Sequence, residues 1–324
     1  MSVAQLGNQL HTGERSIPFV QKRRTWLTAA LVLTLISIAL VAFKGLNAGI
    51  EFRGGSQFTV TGTEVMEQQL AHDVVAELDQ VARVTTVGAS SIRVQTQELT
   101  TEQTNQVRAG LAEAYDVPET DVASTFIGPA WGQDITRQAL QGLAVFIVIV
   151  AIVLAVYFRS WQMATAALVA LFHDILLTVG VYALIGWEVT PATVIGLLTI
   201  LGYSLYDTVV VFDKVRENTT DLVEQHDRTY AELSNLAVNQ TLIRSINTSL
   251  TSLLPVGSIL FVGALLLGAG TLRDIALALF VGMFVSTVSS VFVAAPLQVL
   301  LHERGETVRE HTADVLERRR KRTG

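Results

Sequence analysis

Six stretches of the chain stay apolar long enough to cross a bilayer, at about 25–43, 139–158, 162–186, 190–212, 244–267 and 274–300. Roughly 18–25 such residues span the hydrocarbon core as a helix. Between the first two lies a segment of different rhythm, 45–136. Polar and apolar positions alternate there in SQFTVTG, ARVTTVG, SIRVQTQ and DVASTFIG, which marks strands. EVMEQQLAHDVVAELDQV instead places Val65, Leu70, Val74, Val75 and Leu78 near a helical period. Thr100 and Gln103 have the spacing of a capping box ahead of a second helix, EQTNQVRAGLAEAY. The order βαββαβ predicts a ferredoxin-like module. The expected fold class is a polytopic α-helical membrane protein of six transmembrane helices with one α+β extracytoplasmic domain.

Composition agrees with that pattern. Hydrophobic residues make up 50% of the 324 and charged residues 16%, with a mean hydropathy of +0.44; a soluble domain carries about 25% charged residues. Cysteine is absent, which excludes disulfides, thiol chemistry and cysteine-held metals. The net charge of −6 is unevenly spread. Basic residues gather in QKRR (Lys22, Arg23, Arg24) before the first span and in ERRRKR at the C-terminus. Segment 45–136 holds thirteen carboxylates against four arginines.

Positive charge marks the cytoplasmic side. Residues 1–24 and 301–324 are therefore expected as cytoplasmic tails, with the Arg159–Trp161 link and a loop at 213–243 on the same side. The links at 186–190 and 268–273 and the module at 45–136 fall outside. The 213–243 loop mixes six acidic residues with apolar ones and is expected either as an amphipathic surface helix or as irregular chain. The first span has no small-residue cleavage pattern and reads as an uncleaved anchor. No short-period repeat is evident.

The module has no phosphate loop, no nucleophile–base pair and no metal-ligand spacing, so neither catalytic nor metal-binding residues are assigned and no cofactor is expected. His72 beside Asp73 reads as a solvated pair. Nothing points to nucleic acid. Gly54-Gly55 directly follows the first span and reads as a hinge or as a close-contact point.

The chemistry lies in the spans. Asp207 interrupts TVIGLLTILGYSLYDTVVVF, with Tyr203 and Ser204 on its helical face. Arg244, Asn247, Thr248 and Thr251 recur at i, i+3, i+4 and i+7 in the fifth span and share a face. His173 and Asp174 interrupt the third span, and STVSS (Ser286–Ser290) the sixth. A carboxylate at the centre of a membrane helix costs about 2.5–3.5 kcal/mol on insertion scales, so Asp207 needs a partner. Antiparallel neighbours place Arg244 at a similar depth, and pairing is the expected solution. A guanidinium that moves away leaves such a carboxyl ready to take a proton, and one that returns expels it. A movable pair is an ion-coupled switch; a rigid pair is a strut. His173 and Asp174 are candidates to extend a relay. Being adjacent, they are expected on different faces.

With those residues in view, the chain resembles the SecF family, the smaller partners of SecDF complexes in bacterial protein export. The resemblance rests on GIEFRGG, ALFHDILLTVG, GYSLYDTVVVFDKVREN, NQTLIRSINTSLTSLL and GMFVSTVSSVFVAAPL, and covers nearly the whole chain. It implies kinship with resistance-nodulation-division transporters and a bacterial cytoplasmic (inner) membrane location with both termini cytoplasmic. It also implies a transported proton or sodium ion coupled at Asp207 and Arg244. The implied partners are a SecD-like subunit completing a twelve-span heterodimer, the SecYEG channel, exported unfolded polypeptides and membrane lipid. The implied role is non-enzymatic: promoting late translocation and release on the outer side. Two positions depart from the family pattern, Tyr206 where asparagine is usual and Glu51 where aspartate is common. The alternatives are a proton-coupled small-molecule exporter of the same superfamily, a scaffold with an inert ion pair, and an intramembrane protease. The last lacks a second aspartate in a suitable context.

Overall fold

The computed structural model describes residues 3–88, 90–264 and 270–323. Ala89, in the expected Gly-Ala-Ser turn, and 268–269, in the expected link 268–273, lie outside the described residues. The chain opens with α1 (Val3–Thr12) and α2 (Arg23–Lys44), then a short β1 (Asn47–Ala48) and α3 (Ile50–Arg53). The α+β domain follows as β2 (Gly55–Thr61), α4 (Gln68–Ala76), β3 (Arg83–Thr86), β4 (Ser91–Thr96), α5 (Thr101–Ala114) and β5 (Val122–Ile127). The remainder is α6 (Pro129–Phe158), α7 (Trp161–Ile185), β6 (Glu188–Val189), α8 (Pro191–Asn218), α9 (Tyr230–Ser258), α10 (Gly270–Ser289), α11 (Ala295–His302) and α12 (Glu306–Thr323). Among the described residues, six helices are long and apolar enough to cross a membrane, the fifth being Tyr230–Gly263 and the sixth Leu272–His302. The protein is a multi-pass membrane protein.

The domain has the expected βαββαβ order. Its antiparallel sheet runs β3-β4-β2-β5, and α4 and α5 cover one face, burying Phe58, Val60, Ile92, Val94, Val107, Leu111 and Tyr115. Thr100 and Gln103 form the full reciprocal capping box of α5. The sheet's other face is polar and faces the bundle: Arg93 and Gln95 of β4 reach Glu188 of β6 at 3.2 and 2.6 Å.

Local signals set the helix ends. Pro129 opens α6 with its ring pre-set for the first turn. Arg159 in the left-handed region (φ 49°) and Ser160 as N-cap make a tight turn into α7. Thr190 caps α8, reinforced by Thr193 and by Pro191 in the first turn. Within the bundle, α8 and α10 approach through small residues: a side chain on Gly196 would meet the Ala278 Cβ at 2.8 Å, and one on Gly282 the Ile200 Cγ atoms at 2.9 Å. Small residues let membrane helices approach backbone to backbone.

The structure corrects several boundaries. The fourth and fifth helices do not stop where lipid-like composition stops. α8 continues to Asn218, and α9 starts at Tyr230 behind a Thr229–Glu232 capping box. The expected 213–243 loop is thus mostly helix, and only 219–229 connects. α6 begins at Pro129, so the expected domain end at 136 falls inside a helix. The terminal segments are also folded. Asn235 and Asn239 of α9 grip the backbone of Ile17 and Val20 through four hydrogen bonds: their side-chain oxygens accept from the Val20 and Ile17 N–H groups, and both side-chain NH2 groups donate to the Ile17 carbonyl. Arg23 meets Glu303 at 2.5 Å, and Arg319 of α12 meets Glu232 at 2.6 Å, so both termini lie at the end of the bundle away from the domain.

Candidate functional site

Polar side chains meet inside the bundle where α7, α8 and α10 converge. Asp207 on α8 is 3% exposed and Asp174 on α7 is 1% exposed. The Asp207 carboxylate accepts a hydrogen bond from the Ser290 hydroxyl. Ser204, one turn before Asp207 on α8, donates instead to Asp174 Oδ2 at 2.6 Å. The other Asp174 oxygen lies 3.2 Å from His173 Nδ1, which is also 3.3 Å from the Ser289 hydroxyl. The two carboxylates therefore occupy neighbouring pockets, each with a hydroxyl from another helix.

A break in regular winding makes this possible. Ser290–Ala294 forms a π-type turn, and Pro296 follows at the start of α11. Proline has no N–H to give and crowds the preceding turn, so the helix relaxes there. Widening lets the adjacent Ser289 and Ser290 serve different partners, His173 and Asp207. Such turns concentrate at functional positions.

A second thread runs through α9. Tyr203 of α8 donates to Ser249 at 3.1 Å, and Thr287 of α10 donates to the same hydroxyl at 2.7 Å. Ser290 also lies 3.1 Å from the Thr287 carbonyl. Hydroxyls thus link Tyr203, Ser249 and Thr287, and the Thr287 backbone carbonyl joins them to Ser290 and its Asp207 contact.

The expected pairing of Asp207 with Arg244 is absent from this structure. Arg244 is exposed at the middle of α9 and donates to the Tyr206 hydroxyl at 3.4 Å; Tyr206 is 51% exposed. The cause is helical phase: Tyr206 and Asp207 are adjacent, so one faces outward when the other faces inward. The face carrying Arg244, Asn247 and Thr251 looks out of the chain, with Thr248 half-buried, while Ser245 and Ser249 look in. The Thr251 hydroxyl only returns to the Asn247 carbonyl at 2.8 Å. The expectation that His173 and Asp174 point apart is also corrected, since their side chains meet.

Gly54 and Gly55 occupy a tight crossing. Both have positive φ, 79° and 137°. A side chain on Gly54 would stand 3.0 Å from the Pro129 backbone, and one on Gly55 would strike the Thr96 carbonyl. Close approach requires the pair of glycines here. Spacing alone did not identify Ser249, Thr287, Ser289 or Ser290 as partners; the polar run STVSS in an apolar helix was the signal for the last three.

The model of the family "Protein export membrane protein SecD/SecF, C-terminal" matches residues 107–304, and that of the SecD/SecF GG motif matches residues 39–62. The translocase subunit SecF of Streptomyces coelicolor is 46% identical over 307 residues, covering 92% of this chain and 80% of that protein. SecF of Mycobacterium tuberculosis is 42% identical over 323 residues, covering 96% and 73%. The crystal structure of SecDF, a translocon-associated membrane protein from Thermus thermophilus, superposes with a TM-score of 0.78 at 34% identity, covering 89% of this chain. The chain spans 39% of that longer SecDF chain.

Proposed function

Since this chain belongs to the SecD/SecF family of protein export membrane proteins, we propose that it is a non-enzymatic accessory subunit of the Sec translocase. It uses the transmembrane proton or sodium gradient to promote late translocation and release of polypeptides on the outer side. Asp207 and Arg244 couple the ion, and Tyr203, Ser204, His173 and Asp174 support or extend the path. The α+β domain lies outside the cytoplasmic membrane and both termini inside, in keeping with the basic tails.

The observation that carries this reading is the separation of Asp207 from Arg244. A strut requires the two charges to be paired; here each has a neutral hydroxyl partner instead, Ser290 and Tyr206. A carboxyl held by a neutral hydroxyl, with no fixed cation, is free to exchange an ion. Partner choice follows from the same face. Arg244, Asn247 and Thr251 would be costly against lipid, and a SecD-like subunit packed there would cover them and complete a twelve-span unit beside the SecYEG channel.

One charge crossing 100 mV supplies about 2.3 kcal/mol, enough to bias a domain movement but small beside the unfolding of a substrate. A ratchet that hinders backsliding fits that supply. The test is completion of a stalled precursor in inverted vesicles containing the partner subunit, with ATP removed after initiation and a proton gradient imposed. The native chain completes translocation, and Asp207→Asn at equal abundance stalls. Equal completion would remove Asp207 from the mechanism.

A further inference from the structure

On the domain side, the chain between α2 and the sheet is clasped to the connection between α7 and α8. Asn47 and Ala48 pair in parallel with Glu188 and Val189. The Asn47 amide donates to the Gly186 carbonyl at 3.0 Å, Gly49 N–H to the Val189 carbonyl at 2.9 Å and Lys44 Nζ to the Leu184 carbonyl at 2.6 Å.

This clasp draws two carboxyl groups together. A side chain on Gly49 would strike Glu51 Oε2 and stand 3.1 Å from Glu188 Oε1, so both carboxyls converge on a residue that has no side chain. Glu188 is well provided for: Oε2 receives Arg93 Nη1 at 3.2 Å and Oε1 receives Gln95 Nε2 at 2.6 Å. Glu51 is not. Its Oε2 is buried and has no hydrogen-bond partner.

A buried, unpaired carboxylate oxygen beside a second carboxylate is unfavourable; a protonated one has a hydrogen to give and an acceptor at hand. Burial is the largest influence on Glu51 and pushes its carboxyl above the ordinary range. Glu188 pushes the same way, against the Glu51 backbone amide and Arg93. Those are the charges that face it from β6 and β4. Asp274 and Arg273, at the head of α10, share the Arg93–Glu188 neighbourhood. The part of α6 packed on α3 presents its backbone, with Gly132 against the Phe52 carbonyl.

We propose that Glu51 and Glu188 hold one proton between them on the domain side of the membrane, and that this proton keeps the α+β domain seated on the bundle. Protonated, Glu51 donates toward Glu188 and the clasp closes. Deprotonated, two carboxylates share one Arg93, and a ribbon of two residues per strand must hold against their repulsion. The sign follows from linkage. Seating raises the Glu51 pKa, and release returns it toward its ordinary 4.5. Seating is therefore fully favoured in acid and weakens as pH rises through the raised value. The site rests on the proposed function only for its use: an acidic outer side would close the clasp while the same protons supply Asp207.

The chain has no cysteine, so spin labels attach only where introduced. Labels at Thr86→Cys on β3 and Ile185→Cys at the end of α7 report the gap between domain and bundle in the full chain in nanodiscs. Double electron–electron resonance at pH 5 should give one narrow distance population, and at pH 8.5 a second, longer one. Glu51→Gln should keep the narrow population at both pH values. An infrared titration should show a carboxyl C=O band with a midpoint above the ordinary range, lost in Glu51→Gln. A pH response that persists in Glu51→Gln, or a native chain with no response, overturns the proposal. Neither readout involves export, so failure here is distinguishable from failure of the Asp207 reading.

Discussion

Asp207 and Arg244 sit on neighbouring helices without touching: the carboxylate of one is held by Ser290, the guanidinium of the other by Tyr206. That separation leaves each charge with a neutral hydroxyl partner. It makes Ser290 and Tyr206 the placeholders whose replacement should distinguish a strut from a switch.

Ser290→Ala leaves the Asp207 carboxylate buried without its hydroxyl, at a cost of about 1–3 kcal/mol. The expected result is a lower unfolding temperature in detergent, largely restored in Ser290→Ala/Asp207→Asn. A double-mutant cycle checks it, because groups in contact are non-additive.

Arg244→Gln removes a cation from an exposed position with one long hydrogen bond. Thermal stability should move by less than about 0.5 kcal/mol, as for surface changes, while gradient-driven precursor completion falls to background. Measuring both on one preparation separates an ion-coupling role from a structural one.

Gly282→Val drives a branched side chain into Ile200 across the α8–α10 seam. Overpacking of this kind costs about 1–3 kcal/mol and widens the gap that Ser290 must bridge to Asp207. The expected outcome is lost completion activity with reduced thermal stability. Ile200→Ala in the same chain should recover part of both.

Gly55→Ala combines a φ of 137° with a collision at the Thr96 carbonyl. Backbone strain in that region costs about 1–3 kcal/mol. Limited proteolysis should cut the α+β domain earlier than the bundle, with the new cleavage sites near the β2 and β4 ends.

Asp314 on α12 lies 3.0 Å from both Arg318 and His226. Arg318 is the chief cause that holds its carboxyl below the ordinary range, with His226 adding to it. The contact is fully present above that ordinary range and fades as pH falls through the depressed value. Amide protection factors in α12, corrected for the intrinsic pH dependence of exchange, should fall under acid in the native chain and be low throughout in Asp314→Asn.

What the sequence reveals and what it hides divide along physical lines. The six spans, the βαββαβ order and the Thr100–Gln103 cap are local patterns, written within a few residues of where they act. The helical stretches Asp213–Asn218 and Tyr230–Ile243 were hidden because hydropathy measures affinity for lipid, and a helix can continue into water on its caps and contacts. Spacing put Arg244, Asn247 and Thr251 on one face but could not say that this face looks outward. The Ser290–Asp207 contact joins positions far apart in the chain and depends on a local unwinding before Pro296, which a regular helical period cannot reveal.

The most direct test of the account is ion movement itself. Proton flux would be followed with a pH dye inside inverted vesicles that hold the chain with its partner subunit, with and without a translocating precursor. The account predicts a precursor-dependent flux in the native chain that disappears in Asp207→Asn at equal abundance. The same flux in both would contradict it, and Asp207 would then be only a buried polar group satisfied by Ser290.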